Sequence, residues 1–268
     1  MNMKETQRLL WQGFQMAAAF LSIFPAKNAV WDTKTARYAV FFFPICGALI
    51  GLVTWAAYIV LESLYLPAYI LAFFIVLLSV VLHGGLHLDG WMDVSDAAFS
   101  WRDKEQKLEI MKDSRTGAAA VWTTIFLLAG RLLFVMYVLE TDVLPIWFVL
   151  LTAPVLARTA MGHLLISAPL AKKDGLAAWF RADSKQYDAW MLLLISSCWL
   201  LFLFLLAPSY IGAGMFIGMI VAAVYWLGRY LFIKWFGGIN GDMAGALCEG
   251  VETVIWFTSV LYISYVMA

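Results

Sequence analysis

Asp89, Asp93 and Asp96 stand at i, i+4 and i+7 in the run His87-Leu88-Asp89-Gly90-Trp91-Met92-Asp93-Val94-Ser95-Asp96, directly after a long apolar stretch. On a helix turning ~100° per residue, the three carboxylates fall within a sector of roughly 60°. Like charges so placed repel unless a cation or protons intervene. Hard carboxylate oxygens with positions left open for water or phosphate suit Mg²⁺ or Mn²⁺. A single aspartate just past an apolar helix commonly does no more than solvate its end. Three on one face call for a metal.

Other polar groups could join that chemistry. Gly237-Gly238-Ile239-Asn240-Gly241-Asp242 leads into Glu249 and Glu252. Asp242 and Glu249 share a helical face if a helix begins near Asp242, and they are expected to complete the metal site. Asn240 or Asp242 could cap such a helix, and Asn240 is also counted as a substrate contact. Lys112-Asp113-Ser114-Arg115-Thr116-Gly117 sets two cations and hydroxyls before an apolar helix, whose first N–H groups attract phosphate. Arg158, inside an apolar segment after Pro154, is expected to reach a buried anion. His83 and His87 are also i, i+4, which suggests zinc. On a straight helix, however, His87 and Asp89 lie about 160° apart, so packing comes first for the pair and a substrate contact for His87 second. The wheel holds only if Gly84-Gly85 does not break the helix.

These groups must be positioned by membrane helices. Of 268 residues, 63% are hydrophobic and 13% charged, far from the composition of a soluble domain. The formal net charge is zero, which gives no basic field to attract nucleic acid, so none is expected as a partner. Cys46, Cys198 and Cys248 are scattered among apolar residues and indicate neither a disulfide framework nor a thiolate zinc site. Seven stretches are long enough to span a bilayer, near 38–61, 68–88, 118–139, 143–169, 189–207, 211–233 and 251–267. The run from Leu9 to Phe24 is shorter, carries Gln12 and Gln15, and suits an interfacial or re-entrant helix better than a span or a signal peptide. Gly47 and Gly51 read as a helix-packing surface. The expected fold is all-α: a single polytopic membrane bundle over 1–268, of about seven transmembrane helices.

Charge sets the orientation. Lys4, Arg8, Lys27, Lys34 and Arg37 share one side with Arg102, Lys104, Lys107, Lys112 and Arg115, and with Lys172, Lys173, Arg181 and Lys185. The opposite connections, 62–67, 140–142 and 208–210, contain no Lys or Arg. The positive-inside rule then places the N-terminus and the active-site loops 89–117, 170–188 and 237–249 in the cytoplasm and the C-terminus outside.

Three motifs together resemble a known family. His-Leu-Asp-Gly-x-x-Asp-x-x-Asp at 87–96, Leu-Glu-Ile-Met-Lys-Asp-Ser-Arg-x-Gly at 108–117, and Gly-Gly-x-x-Gly-Asp at 237–242 followed by Glu249 are similar to those of cobalamin synthase, the adenosylcobinamide-GDP ribazoletransferases. The likeness runs from Phe20-Leu21-Ser22-Ile23-Phe24-Pro25 to the last helix. It departs at Ile23, Ala97 and Asn240, where the family often has Arg, Gly and Thr.

The resemblance implies that adenosylcobinamide-GDP meets α-ribazole or its 5′-phosphate at the cytoplasmic (inner) membrane of a prokaryote. A ribose hydroxyl attacks the cobinamide-linked phosphorus, and GMP leaves. Mg²⁺ is the cofactor implied, held by Asp89, Asp93, Asp96, Asp242 and Glu249. Asp96 is the candidate base, with His87, Lys112, Asp113, Ser114, Arg115, Arg158 and Asn240 around the substrates. The lipid bilayer is a further partner, and a homo-oligomer is compatible with the sequence. Two other classes share parts of the pattern. A CDP-alcohol phosphotransferase has similar metal chemistry, but Met92-Asp93 stands where its signature has Ala-Arg. A secondary transporter would cluster its polar residues near the bilayer midplane.

Overall fold

A computed structural model describes residues 3–26, 29–141, 143–185 and 187–268. Lys27, one of the basic residues used for orientation, lies outside the described residues. The chain folds into helices joined by short turns: α1 (Met3–Leu21), α2 (Thr33–Phe41), α3 (Phe43–Glu62), α4 (Ala68–Leu82), α5 (Leu86–Ala98), α6 (Lys104–Ile110), α7 (Ala118–Thr141), α8 (Ile146–Ser167), α9 (Leu176–Arg181), α10 (Asp188–Leu206), α11 (Ile211–Phe236) and α12 (Gly241–Met267).

Local chemistry marks the boundaries. Asp32 and Asp103 accept the N–H of Thr35 and Gln106 and so start α2 and α6. Pro67 and Pro145 occupy the position before the first turn of α4 and α8, where a missing N–H costs nothing. Gly237, at φ 79°, closes α11 in the left-handed conformation that glycine tolerates.

Among the described residues, six helices are long and apolar enough to cross a membrane, and α4 with α5 makes a seventh span if taken together. That seventh span is broken. Gly84 and Gly85 both take positive φ, and the two halves meet at 88°. α1 is not among the candidate spans. It packs on α2, and the N–H of Ile23 just beyond it donates to Leu82 O at the end of α4.

α8 is the central helix, buried along nearly its whole length. α3 lies against it through Gly47 and Gly51, where an added Cβ would sit 2.4 Å from the carbonyls of Pro154 and Leu150. Hydrophobicity cannot drive such contacts within lipid, so close approach over small residues and the dispersion it allows hold the pair together. α12 packs on α5 and α8 and carries polar groups into the bundle. It begins at Gly241, ten residues before the expected span start at 251, so residues 241–249 are helix rather than loop.

Candidate active site

α5 and the first turns of α12 approach at the end of the bundle that carries α6 and α9. A Cβ added to Gly90 would lie 2.6 Å from Asp242 O, and one on Gly245 would lie 3.2 Å from His87 Cα. The backbone contact at Gly90 places Asp242 beside Asp89. Asp93 lies within electrostatic reach of Asp89, Asp96 and Asp242. Asp89 is exposed, while Asp93 and Asp242 are partly buried. Among the described residues, neither Asp89 nor Asp93 forms an ion pair, and Asp242 shares one oxygen with Asn240 Nδ2 at 2.9 Å. Oxygen donors gathered without a cation suit a hard divalent ion.

The loops around them are fastened. Ala171 N–H donates to Ile239 O and Ile239 N–H to Pro169 O, at 2.9 and 2.8 Å, which joins the segment before Lys172 to the start of α12. Gly238 is required there, because a Cβ would meet the Leu170–Ala171 peptide at 2.5 Å. α6 is pinned by Lys107, whose ammonium reaches Ala98 O at 3.3 Å and lies over the rings of Trp235 and Phe236. On the far side of this end, Arg37 grips the buried Asp188 with two hydrogen bonds of 2.7 and 3.0 Å, tying α2 to α10.

Lys112, Asp113, Ser114 and Arg115 are all exposed on the turn before α7. Arg115 forks onto Asp113 at 2.6 Å, and its guanidinium holds the Asp113 carboxyl down at about 2. Lys112 pairs with Glu109 at 2.8 Å. Both cations can therefore be offered to a phosphate only by exchanging one anionic partner for another.

The structure gives several of the expected site residues other partners. Asp96 uses both oxygens on the N-terminus of α7, accepting Gly117 N–H at 2.6 Å and Ala120 N–H at 2.8 Å. The first turn of α7 is therefore already capped, and its N–H groups are not all available to a phosphate. Asn240 caps α12 by accepting Met243 N–H at 3.0 Å, which leaves the cap rather than the substrate as its partner. Arg158 does reach a buried anion, but the anion is Glu252 of the same chain. Arg158 is fully buried, so it contacts no substrate in this arrangement.

Glu249 is likewise turned away from the aspartates. Arg131 holds its Oε2 at 2.7 Å, and His83 Nε2 lies 3.1 Å from its Oε1. Two arginines and two glutamates thus balance inside the bundle, with Thr253 and Ser79 also bonded to Arg131. The part Arg131 plays was foreshadowed only by its position in an apolar run. His87 is 1% exposed and stacks on His83, because the helix breaks between them and the straight-wheel geometry does not apply.

Residues 13–260 match the family described as cobalamin-5-phosphate synthase. A protein named adenosylcobinamide-GDP ribazoletransferase from Geobacillus sp. (strain WCH70) is 42% identical over 259 residues, 96% of this chain and 98% of the relative. One of the same name from Geobacillus thermodenitrificans (strain NG80-2) is 37% identical over 255 residues, covering 93% and 95%. Another from Clostridium perfringens (strain SM101 / Type A) is 30% identical over 260 residues, covering 97% and 100%. No solved structure matches the chain.

Proposed function

This chain belongs to the cobalamin-5-phosphate synthase family of transferases, and we propose that it joins adenosylcobinamide-GDP to α-ribazole or α-ribazole 5′-phosphate in a Mg²⁺-dependent reaction. The observation that carries this reading is the meeting of Asp89, Asp93 and Asp242 at one mouth of the bundle, unneutralised by Lys or Arg ion pairs and next to the exposed Lys112–Arg115 turn.

Asp89, Asp93 and Asp242 are the residues that would hold the ion. When bound, Mg²⁺ neutralises the pyrophosphate and stabilises the charge that develops on the departing phosphate. Lys112 and Arg115 orient the anionic oxygens from the opposite side, leaving Asp113 and Glu109 for the substrate. The ribose hydroxyl oxygen attacks the cobinamide-linked phosphorus, a new P–O bond forms, and the bond to the GMP phosphate breaks. The hydroxyl proton passes to a carboxylate. Asp96 was the candidate for that role, but both of its oxygens hold α7, so Asp93 is the better placed acceptor and Asp96 positions the phosphate turn.

Basic residues on the α6 and α9 side support an orientation with this mouth, the N-terminus and the nucleotide in the cytoplasm of a prokaryote and the C-terminus outside. Water-soluble substrates then reach the site without crossing the bilayer. The test is direct: purified protein in a lipid nanodisc, adenosylcobinamide-GDP, each ribazole in turn and Mg²⁺, with chromatography for the cobamide product and GMP. Equal amounts of both products are expected. Turnover undiminished in excess chelator would exclude the metal, and no product from either ribazole would exclude the reaction.

A further inference from the structure

One turn deeper than the aspartates lies a second group of donors that the proposed reaction leaves unused. His83, His87 and Glu249 are all buried, and each offers one donor atom such that the three lie within 4.8 Å of one another. The imidazole rings are stacked with centroids 4.8 Å apart. His83 Nε2 approaches Glu249 Oε1 to 3.1 Å, yet none of the four imidazole nitrogens has a partner in hydrogen-bond geometry. Buried polar atoms almost always find partners, because leaving them unsatisfied costs their full hydration. Two imidazoles so placed, facing a carboxylate, lack the partner that would satisfy all three.

We propose that His83, His87 and Glu249 bind a borderline-soft divalent ion of the Zn²⁺ class, distinct from the Mg²⁺ held by the aspartates. Two imidazoles and one carboxylate oxygen are a three-ligand set for zinc, with a fourth position for water, and imidazole disfavours Mg²⁺. Ligand distances of about 2.0–2.2 Å put the vertices of a tetrahedron roughly 3.3 Å apart, so donors within 4.8 Å of one another need to close by at most about 1.5 Å. Arg131 already fixes the orientation of Glu249 through Oε2, leaving Oε1 toward the histidines. His87 also lines a small cavity shared with Gly241, Asp242 and Gly245, so space adjoins the donors on the side of the aspartates.

The placement suggests what the ion does. His83 follows α4, His87 lies in the first turn of α5, and Glu249 is on α12, so the ion clamps both sides of the broken span to the helix that brings Asp242. It would fix the angle at which Asp89 and Asp93 are presented.

The full chain, purified in nanodiscs and stripped with a strong chelator, is resupplied with Zn²⁺ or Co²⁺ and gel-filtered before elemental analysis. The wild type should retain about one zinc per chain, and the Co²⁺ form should show the intense visible bands of a four-coordinate site. Asp93→Asn should lose transferase activity but keep this zinc, which separates failure here from failure of the Mg²⁺ reading. Folded His83→Gln and His87→Gln should each retain less than about a tenth of the zinc. No retained ion in the wild type, or histidine variants that retain as much zinc as the wild type, would overturn the proposal and leave the rings as packing groups. If neither variant folds, X-ray absorption of wild-type zinc decides: two imidazoles and an oxygen support the site, and a shell without imidazole refutes it.

Discussion

Asp96 Oδ2 accepts the backbone N–H of Gly117 at 2.6 Å, so the helix that carries Asp89 and Asp93 also fixes where the Lys112–Arg115 turn ends. A Cβ on Gly117 would fall 2.5 Å from Asp96 Oδ1. Gly117→Ala should therefore push Asp96 off the start of α7 and displace Lys112 and Arg115 together. A shift of about 1 Å in a positioning group can cost ~100-fold in rate. Steady-state assays should show that loss with the helical content unchanged. Wild-type kcat/KM in Gly117→Ala would remove Asp96 from the positioning of the turn.

The cations themselves make a separate prediction. Lys112→Ala and Arg115→Ala should each raise KM for adenosylcobinamide-GDP more than for the ribazole, since in the proposed reaction they meet the pyrophosphate. Arg115→Lys should restore little, because a single ammonium does not reproduce the guanidinium fork. The carboxyl of Asp113, held at about 2, stays ionised at any pH used for assay. The cost of displacing it from Arg115 is then constant with pH. Asp113→Asn should lower KM for the nucleotide substrate without changing the shape of the pH profile, and a new inflection in that variant would contradict the exchange of partners.

Much of the architecture was legible because hydropathy reports length. The apolar runs and the packing role of Gly47 and Gly51 follow from such patterns, and the shorter, Gln-bearing run of α1 is not among the helices long and apolar enough to span. What sequence could not show was partnership. Glu249 and Glu252 read as carboxylates at the start of a span until Arg131 and Arg158 are found beside them; the helix beginning near Asp242 is present, and the apolar run at 251–267 is only its later part. The break at Gly84-Gly85 is similar. Two glycines permit a bend, but only packing on α12 decides that it is taken, and that bend brings His83 against His87. Asp96 belongs to the same face as Asp89 and Asp93, yet its oxygens were claimed by a helix 21 residues away in sequence.

The buried charges predict an inequality in stability. Glu252 faces Arg158 and, at 3.5 Å, Arg131, all three buried inside the bundle. Removing one partner of a buried pair typically costs about 3–5 kcal/mol, whereas replacing both with apolar residues can be close to neutral. Glu252→Gln and Arg158→Met should each lower the unfolding midpoint in a mild detergent. The double variant Glu252→Leu/Arg158→Met should recover a large part of that loss. Additive losses in the double variant would mean that the pair does not act as a unit.

The closeness of α5 and α12 gives a graded test of whether the metal-site geometry, rather than mere folding, limits activity. At Gly90 an added Cβ would lie 2.6 Å from the carbonyl oxygen of Asp242 and 3.0 Å from its Cα, atoms that cannot swing aside. At Gly245 the nearest atom to an added Cβ is His87 Cα at 3.2 Å, a contact that a small helix shift would relieve. Both alanines raise helix propensity, so neither change should unwind its helix. Gly90→Ala must separate the helices just where Asp89 and Asp242 are brought together, and the distance between carboxylates is what a small ion with rigid geometry is least able to accommodate. Gly90→Ala should therefore lose transfer activity by at least ~100-fold and need more Mg²⁺ for half-maximal rate, while Gly245→Ala keeps most of both. Mn²⁺, with the same oxygen preference, should not restore the shape of the site. Equal effects of the two alanines on activity and on the Mg²⁺ requirement would show that α5 and α12 are a scaffold only, with the ion held by residues of one helix.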